Sequence, residues 1–306
     1  MIWFWVIVAL LVYLALMWLV AWKSAAPIRV PLFFSPGQIG LPQEPVEFVT
    51  LDGYRLSGWW MNRQDATTIG VFIHGYMMNR SELASMAVML WRRGAACLLF
   101  DTRAHGTSGG RLTGFGYTER LDVRAAVDFA RSRQPGAKVI LFGSSMGGAA
   151  AAFAVADDPN LADALVLDSA YSRLDRAALG WWRFLGGKPL MVTMAPTLLF
   201  SRSFLPFRMR DADVAKALVA GGKPVLILHG REDRLAPPGD AERNFAACTG
   251  PSRLVWFEGC NHSAGRFAQP DVYNEAVFGW LDDQGLLVET GTKPNSPVPV
   301  EEIGTR

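Results

Sequence analysis

Residues 138–148 read KVILFGSSMGG, and this stretch decides the fold. An apolar segment of strand length ends in the pattern G-x-S-x-G, and a small-residue helix pattern, Gly148–Phe153, follows at once. A strand, a sharp turn and a helix in this order are the context in which a serine becomes a nucleophile. Gly143 and Gly147 leave the room that such a crowded turn needs, so we expect the Ser145 hydroxyl to project from the strand end toward the start of the helix.

The pattern G-x-S-x-G also occurs in ordinary Gly/Ser turns. Identification of Ser145 as a nucleophile therefore requires a general base elsewhere in the sequence. In serine sites of the strand–turn–helix kind the acid and the histidine follow the serine along the chain. Of the four histidines, only His229 and His262 lie beyond Ser145. His229 ends the buried-strand pattern 224–228 and is interpreted as a packed histidine, whereas His262 lies in the polar loop 259–263 after another strand. We therefore predict that His262 is the general base.

The orienting acid is predicted to be Asp233, just beyond the end of the strand pattern 224–228. From there its carboxylate can hold the imidazole in the required tautomer. The loop around Asp233 also has the composition of an ordinary solvated charged turn. Glu232 and Asp240 lie close by in sequence and could be confused with the acid. Asp168, at the end of the strand pattern 164–168, remains the alternative acid.

Two main-chain N–H groups should form an oxyanion hole for the developing negative charge. One belongs to Met146, the residue after the nucleophile. The other is predicted at Tyr76, in the loop that follows the apolar strand pattern 69–74. Gly75 permits a tight turn there, and a main-chain donor does not require a particular side chain.

In order along the chain, these motifs resemble the alpha/beta-hydrolase superfamily over roughly residues 45–285. The chain is most similar to single-pass esterases, lipases and serine aminopeptidase-like hydrolases. Six ordered segments carry the resemblance: the hairpin LDGYRLSGW at 51–59, His74–Tyr76, the loop DTRAHGTS at 101–108, and the segments around Ser145, Asp233 and His262. The loop 101–108 is similar to the family pattern D-x-R-G-H-G-x-S, with Ala104 in place of a glycine and His105 as an expected loop-stabilising residue.

The resemblance implies a mostly parallel eight-stranded sheet with helices on both faces and a helical cap insertion. The residue pattern independently indicates an α/β fold, because near-continuous apolar strands that alternate with helices form doubly covered parallel sheets. Strand-length apolar runs occur at 69–74, 96–100, 138–142, 164–168, 224–228 and 253–257. We predict one hydrolase domain over 45–287, with the cap at about 173–223 and a disordered tail over 288–306.

Residues Ile2–Trp22 carry no charged side chain. Their 21 residues reach about 31 Å as a helix, enough to cross a hydrocarbon core of ~30 Å. A cleaved signal peptide, with 24–26 as the cleavage site, and a buried core helix are the alternatives. The absence of a basic stretch before the apolar run and the length of that run favour an uncleaved transmembrane anchor over 1–23, followed by a linker over 24–44.

The charges around the span give the expected orientation. Lys23 and Arg29 follow it and no basic residue precedes it, which favours a catalytic domain on the cytoplasmic side. The three cysteines form no spacing motif, so no disulfide framework indicates export.

The predicted cap is unusually apolar, notably at 179–185 and 190–200. Ordinary helices packed on the body have this composition, but so does the wall of an acyl-chain site. The net charge of +2 favours neither a nucleic-acid nor a lipid partner, and we find no metal-ligand cluster or phosphate loop, so no metal or other cofactor is expected.

Together these features predict a membrane-anchored serine hydrolase that cleaves carboxylic esters with apolar acyl groups. The substrate is expected to be a small-molecule ester or a lipid, with no nucleic-acid partner. An amide, peptide or thioester substrate on the same residues is the alternative, and a non-catalytic hydrolase-like binding protein is a further one.

An uncleaved anchor has a direct test. Because residues 2–22 would lie across the hydrocarbon core, the full-length protein should stay with the membrane pellet after washes with high salt or alkaline carbonate. Immunoblotting of pellet and supernatant measures this. Release by carbonate, or a mature N-terminus near Pro27, would show that the segment is not an anchor.

Overall fold

The apolar runs of the sequence form one eight-stranded sheet in the structure, a computed structural model that describes residues 1–287. The expected disordered tail, 288–306, lies outside the described residues. The strand order is β1-β2-β4-β3-β5-β6-β7-β8; β1–β2 and β2–β4 pair antiparallel and the remaining neighbours pair parallel. The strands are β1 (Glu44–Val49), β2 (Arg55–Met61), β3 (Thr68–Ile73), β4 (Ala96–Phe100), β5 (Lys138–Ser144), β6 (Ala164–Asp168), β7 (Val225–Gly230) and β8 (Ser252–Phe257).

Helices cover both faces of this sheet, as the strand pattern predicts. Along β3 the side chains alternate between two apolar clusters: Val71 belongs to the cluster with helices α3, α4 and α7, and Phe72 to the cluster with α2 and α10. The helices are α1 (Ile2–Ala25), α2 (Ala84–Arg92), α3 (Arg120–Arg133), α4 (Met146–Asp157), α5 (Leu174–Met194), α6 (Thr197–Phe200), α7 (Val214–Gly221), α8 (Pro238–Ala246), α9 (Gly265–Ala268) and α10 (Pro270–Asp283).

The predicted alpha/beta-hydrolase fold is confirmed, and the six predicted strands differ from the observed ones by no more than two residues at either end. Differences of two residues occur at the carboxyl ends of β5 and β7, and β5 continues through Gly143 to Ser144, directly before Ser145. Helix α4 follows and is buried on nearly all sides because Gly147–Ala152 are small enough for close packing.

The segment between β6 and β7 has two parts. Helices α5 and α6 and two short 3-10 turns lie over the carboxyl edge of the sheet, and α5 is interrupted at Gly186 and Gly187. Helix α7 instead packs against α4, with Val214 and Leu218 in the main apolar cluster. The part of 173–223 that covers the site therefore ends before α7.

Helix α1 is the one helix within residues 1–287 that is long and apolar enough to cross a membrane or to be a signal sequence, with a mean hydropathy of 2.6. Its 24 residues correspond to about 36 Å. Most of its side chains are exposed, and the buried ones, Met17, Ala21 and Ala25, form a single stripe.

Candidate active site

The turn between β5 and α4 holds Ser145 in an unusual backbone conformation, with φ 49° and ψ −110°. Such a conformation is costly for a residue with a side chain and persists only where its surroundings enforce it. A Cβ atom at Gly147 would lie 2.1 Å from the Ile73 carbonyl oxygen, and one at Gly143 would lie 2.4 Å from the Gly148 Cα atom. Both glycines are therefore required by close backbone packing, as the sequence pattern predicts.

The structure brings Ser145, His262 and Asp233 into one chain of hydrogen bonds. The Ser145 Oγ and His262 Nε2 atoms are 2.9 Å apart, and His262 Nδ1 is 2.7 Å from Asp233 Oδ2. The other carboxylate oxygen of Asp233 accepts the N–H groups of Leu235 and Ala236, both at 2.9 Å. The Asp233 carboxylate is thus buried and fixed, while the His262 side chain is 19% exposed.

Within residues 1–287, the side chains of the other candidates for base and acid form no hydrogen bond with Ser145 or His262. His229 is buried at the end of β7, with its Nε2 atom 3.5 Å from Asp233 Oδ2, and it donates from Nε2 to the Ala236 carbonyl at 2.8 Å. Glu232 is exposed, and Asp240 is buried within α8. The Asp168 carboxylate contacts Arg266 and Tyr273 and makes no hydrogen bond to His262.

The main-chain N–H groups of Tyr76 and Met146 remain candidates for the oxyanion hole. Both residues line the cavity that contains Ser145, and within residues 1–287 neither N–H donates a hydrogen bond. The neighbouring Gly75 approaches closely enough that a Cβ atom there would lie 3.6 Å from the Ser145 Cβ. The Tyr76 loop therefore lies beside Ser145.

The cavity above Ser145 has a volume of about 530 Å³ and is mostly apolar. The sheet supplies its floor through the loops after β3, β5, β7 and β8, and the cap supplies Leu174, Trp181, Trp182 and Leu198. Ala21 and Ser24 of α1 also line it. Lining of this kind suits an apolar ligand with a few polar groups near the reacting atom.

Sequence reasoning missed a buried ionic cluster beside Ser145. Arg266 donates to Glu82 at 2.5 Å and to Asp168 at 3.0 Å, and Tyr273 donates to Asp168 at 3.1 Å. Glu82 in turn accepts the Gly75 N–H at 2.6 Å and the Ser144 hydroxyl at 2.7 Å. In sequence, Glu82 and Arg266 look like ordinary solvated charges and no pattern singles them out, whereas Asp168 stands out only as the alternative acid.

This cluster holds the loop before Tyr76 in place. Burial opposes ionisation of Glu82, but the charge of Arg266 and the hydrogen bonds from Gly75 and Ser144 outweigh it, so the pKa of Glu82 lies below its ordinary value. Glu82 is therefore a fixed anion that binds the Gly75 N–H. The adjoining peptide of Tyr76 is oriented as a consequence.

The loop 101–108 supports the same region, as its resemblance to the family pattern implies. His105 Nε2 accepts the Met77 N–H at 3.3 Å, and its Nδ1 donates to the Arg103 carbonyl at 2.9 Å. Ala104 has φ 64°, in the left-handed region that favours glycine, which explains why the family pattern has glycine there. The alanine occupies this conformation without breaking the loop.

No group of three or more His, Cys, Asp or Glu side chains arranged to hold a metal ion occurs within residues 1–287. Cys97, Cys248 and Cys260 all carry free thiols.

The sheet order, the strained serine turn and the cap define an alpha/beta hydrolase, and comparisons with known proteins agree. The Pyrococcus furiosus esterase Pf2001 superposes with a TM-score of 0.70 at 25% identity, covering 85% of this chain and 98% of the esterase. The Bacillus subtilis protein YqkD is 24% identical over 239 residues, 78% of each chain. The Mycobacterium tuberculosis protein Rv2307c is 27% identical over 242 residues, 78% of this chain and 79% of its own length.

A family model described as serine aminopeptidase, S33, matches residues 64–222. The chain belongs to this family of alpha/beta hydrolases, and it is a hydrolase.

The buried His105 predicts a measurable pH dependence of stability. Burial, with a smaller contribution from nearby His74, lowers the pKa of His105 to about 3, so the folded protein keeps it neutral. An unfolded histidine binds a proton below about pH 6.5. Between about pH 6.5 and 3 the unfolded state therefore holds one more proton, and this residue costs up to about 1.4 kcal/mol of stability per pH unit as pH falls.

We expect His105→Gln to reduce the slope of the unfolding free energy against pH, between pH 6 and 4, by up to about 1.4 kcal/mol per pH unit. Urea unfolding in detergent, followed by tryptophan fluorescence, measures both slopes. Parallel pH profiles for the variant and the wild type would contradict a neutral His105 in the folded state.

Proposed function

We propose that this protein is a serine hydrolase that cleaves carboxylic esters with apolar acyl groups. The observation that carries the proposal is the hydrogen-bonded chain Ser145–His262–Asp233 at the floor of an apolar cavity. The proposed catalytic residues are these three, with Tyr76 and Met146 as the oxyanion-hole donors.

In the first half of the reaction the Ser145 oxygen attacks the ester carbonyl while His262 Nε2 accepts the serine proton. Asp233 accepts the Nδ1 proton of His262 in a hydrogen bond, fixes the tautomer and stabilises the imidazolium. The N–H groups of Tyr76 and Met146 stabilise the oxyanion of the tetrahedral intermediate. This intermediate collapses to an acyl-serine, and His262 returns its proton to the departing alcohol.

In the second half a water molecule attacks the acyl-serine. His262 accepts a proton from that water, the second tetrahedral intermediate forms, and the Ser145 oxygen leaves with the proton from His262. The carboxylic acid is released and the enzyme regains its starting state. Each proton removed from a nucleophile is thus transferred to a leaving oxygen, so one histidine serves both halves.

The cavity favours an acyl ester over the peptide substrate that the family name suggests. An aminopeptidase needs a carboxylate to bind the free amine of its substrate. Among the described residues that line the cavity, Glu82 carries the one carboxylate, and it is already paired with Arg266, Ser144 and the Gly75 N–H. The apolar walls match an alkyl chain instead.

The position of α1 supports a membrane-embedded substrate. The first side-chain hydrogen bond from α1 to the cap comes from Tyr13, and residues 2–12, about 16 Å of helix, are exposed apart from the half-buried Val8. This is about half of a hydrocarbon core of ~30 Å. A membrane-spanning α1 therefore places part of the cap within one leaflet, consistent with exposed Val192 and Leu199 on that part.

The proposed side of the membrane follows from the same segment. Lys23 and Arg29 lie directly after the apolar run, which favours a catalytic domain on the cytoplasmic side.

A substrate panel tests the reaction class. We expect p-nitrophenyl esters of medium and long acyl chains to be hydrolysed with higher kcat/KM than the acetyl ester, because each buried methylene contributes about 0.8 kcal/mol. Aminoacyl p-nitroanilides and acyl-CoA thioesters, assayed in parallel, should be poorer substrates. Preference for the anilides would favour the aminopeptidase alternative, and turnover of no substrate would favour a binding protein.

Replacement of the nucleophile should abolish turnover. Ser145→Ala is expected to lower kcat by roughly 10⁴-fold or more, because serine, histidine and acid act as one unit. A fluorophosphonate probe followed by peptide mass spectrometry should modify Ser145 and leave the adjacent Ser144 unmodified. Modification of Ser144, or comparable turnover in the alanine variant, would overturn the assignment.

The two acid candidates can be separated by matched variants. Asp233→Asn should lower kcat/KM by roughly 10³–10⁴-fold, because the amide favours the wrong histidine tautomer. Asp168→Asn weakens the pairing of Arg266, so it should lower thermal stability while its folded fraction keeps far more activity than Asp233→Asn. A larger loss of kcat/KM in Asp168→Asn, at equal folded fraction, would place the acid on β6.

A further inference from the structure

The second half of α1 is docked on the catalytic domain. Its buried stripe, Met17, Ala21 and Ala25, repeats every four residues and therefore faces one side. Two side chains from α1 form hydrogen bonds with the cap: Tyr13 donates to the Thr193 carbonyl at 2.6 Å, and Trp18 donates to the Ser203 hydroxyl at 2.9 Å. This half of the helix thus has a defined packing partner.

The last turn of α1 is joined directly to the loops of the proposed active site. The final carbonyls of a helix have no partner within the helix. Here the Tyr76 hydroxyl donates to the Ser24 carbonyl at 2.6 Å, and the Thr113 N–H donates to the Ala25 carbonyl at 2.8 Å. Burial raises the pKa of Tyr76 to about 12, so its hydroxyl stays protonated and remains a donor.

The chain that follows the helix is fixed as well. The Arg29 guanidinium donates to four carbonyls of the loop 105–110, at 2.7 to 3.0 Å. The Asn79 amide donates to the carbonyls of Val30 and Pro31, both at 3.0 Å. A segment expected from sequence to be a linker is therefore held against the loops that follow β3 and β4.

The side of α1 that faces the domain reaches the cavity itself. Ala21 and Ser24 line the same space as Ser145, together with Trp181 and Trp182 of the cap. Ala21 is buried and has the smallest side chain that a chiral residue can have, so any larger residue there would project into that space. The helix thus supplies one wall of the cavity.

We propose that the last turn of α1 is part of the acyl-binding site and that Ala21 sets how much of an alkyl chain the cavity accepts. This inference rests on the proposed function, since it assigns the cavity to an acyl chain. The anchor segment then has two roles: it attaches the enzyme to the membrane, and it completes the substrate site.

The test enlarges Ala21 and compares it with a matched change on the other side of the helix. Ala15 is exposed and lies six residues earlier, about 240° around α1 from Ala21. Ala21→Phe and Ala15→Phe are made in full-length protein carrying Ser145→Ala, in detergent solution. Isothermal titration calorimetry then measures the Kd of dodecanoate, the acid that a dodecanoyl ester would release.

Ala21→Phe should weaken dodecanoate binding by about tenfold or more, the loss expected when two methylene groups no longer fit. Ala15→Phe should leave the Kd within about twofold. In enzyme with Ser145 intact, the ratio of kcat/KM for dodecanoyl to acetyl esters should fall by about the same factor in Ala21→Phe alone. Equal Kd values for the two phenylalanine variants, both folded, would overturn the proposal.

If Ala21→Phe does not fold, the smaller pair Ala21→Val and Ala15→Val decides by the same comparison. The binding measurement also separates this inference from the proposed reaction. Weaker dodecanoate binding in Ala21→Phe, in an enzyme that hydrolyses no ester, would reject the reaction and keep the site. Ester hydrolysis with unchanged chain-length preference in the Ala21 variants would reject the site and keep the reaction.

Discussion

The backbone turn at Ser145 is the constraint on which the rest of the site depends. A non-glycine residue at φ 49° is stable only because β5 and α4 approach so closely that Gly143 and Gly147 have no room for side chains. That geometry places the hydroxyl above the carboxyl edge of the sheet. The loops after β3, β7 and β8 leave the same edge, since their strands run parallel to β5. The residues proposed as oxyanion-hole donor, acid and base can therefore reach Ser145 from three separate segments.

A second constraint fixes the positions of the loops around Ser145 relative to one another. Arg266 lies just after the His262 loop, Glu82 follows the Tyr76 loop, and Asp168 ends β6; the ion pairs between them link all three to one buried cluster. Removing charges from water is costly, and burial alone would favour neutral carboxyl groups. The cluster persists because its members also accept or donate hydrogen bonds, notably from the Gly75 N–H to Glu82. Such a network is better suited to fixing relative positions than to adding stability, which is what an oxyanion hole built from main-chain groups requires.

Sequence patterns predicted the fold and the proximity of Ser145, His262 and Asp233 for a physical reason. Apolar periodicity reports which strands are buried, and parallel strands carry their following loops to one edge. The same patterns say little about charged residues outside the strands. The sequence around such a residue looks the same whether its side chain is solvated or forms an ion pair. Glu82 and Arg266 are 184 positions apart, and only the folded arrangement shows that they meet. The docking of α1 was missed for a related reason: uniform apolarity indicates a membrane span but does not reveal which side of the helix contacts protein.

The contacts of α1 also limit how the catalytic domain can sit relative to a membrane. A flexible tether would let the domain rotate freely, but the hydrogen bonds of Arg29 and of the Ser24 and Ala25 carbonyls fix the helix axis relative to the sheet. If α1 crosses the bilayer, the cap and the cavity mouth have a fixed depth in the bilayer and a fixed tilt relative to it. An apolar acyl chain in the adjoining leaflet then lies beside the wall formed by Ala21, and its ester group can approach Ser145 without passing through bulk water. The helix and the apolar cap thus form one structural unit, and the proposed membrane attachment and the proposed substrate access depend on the same packing.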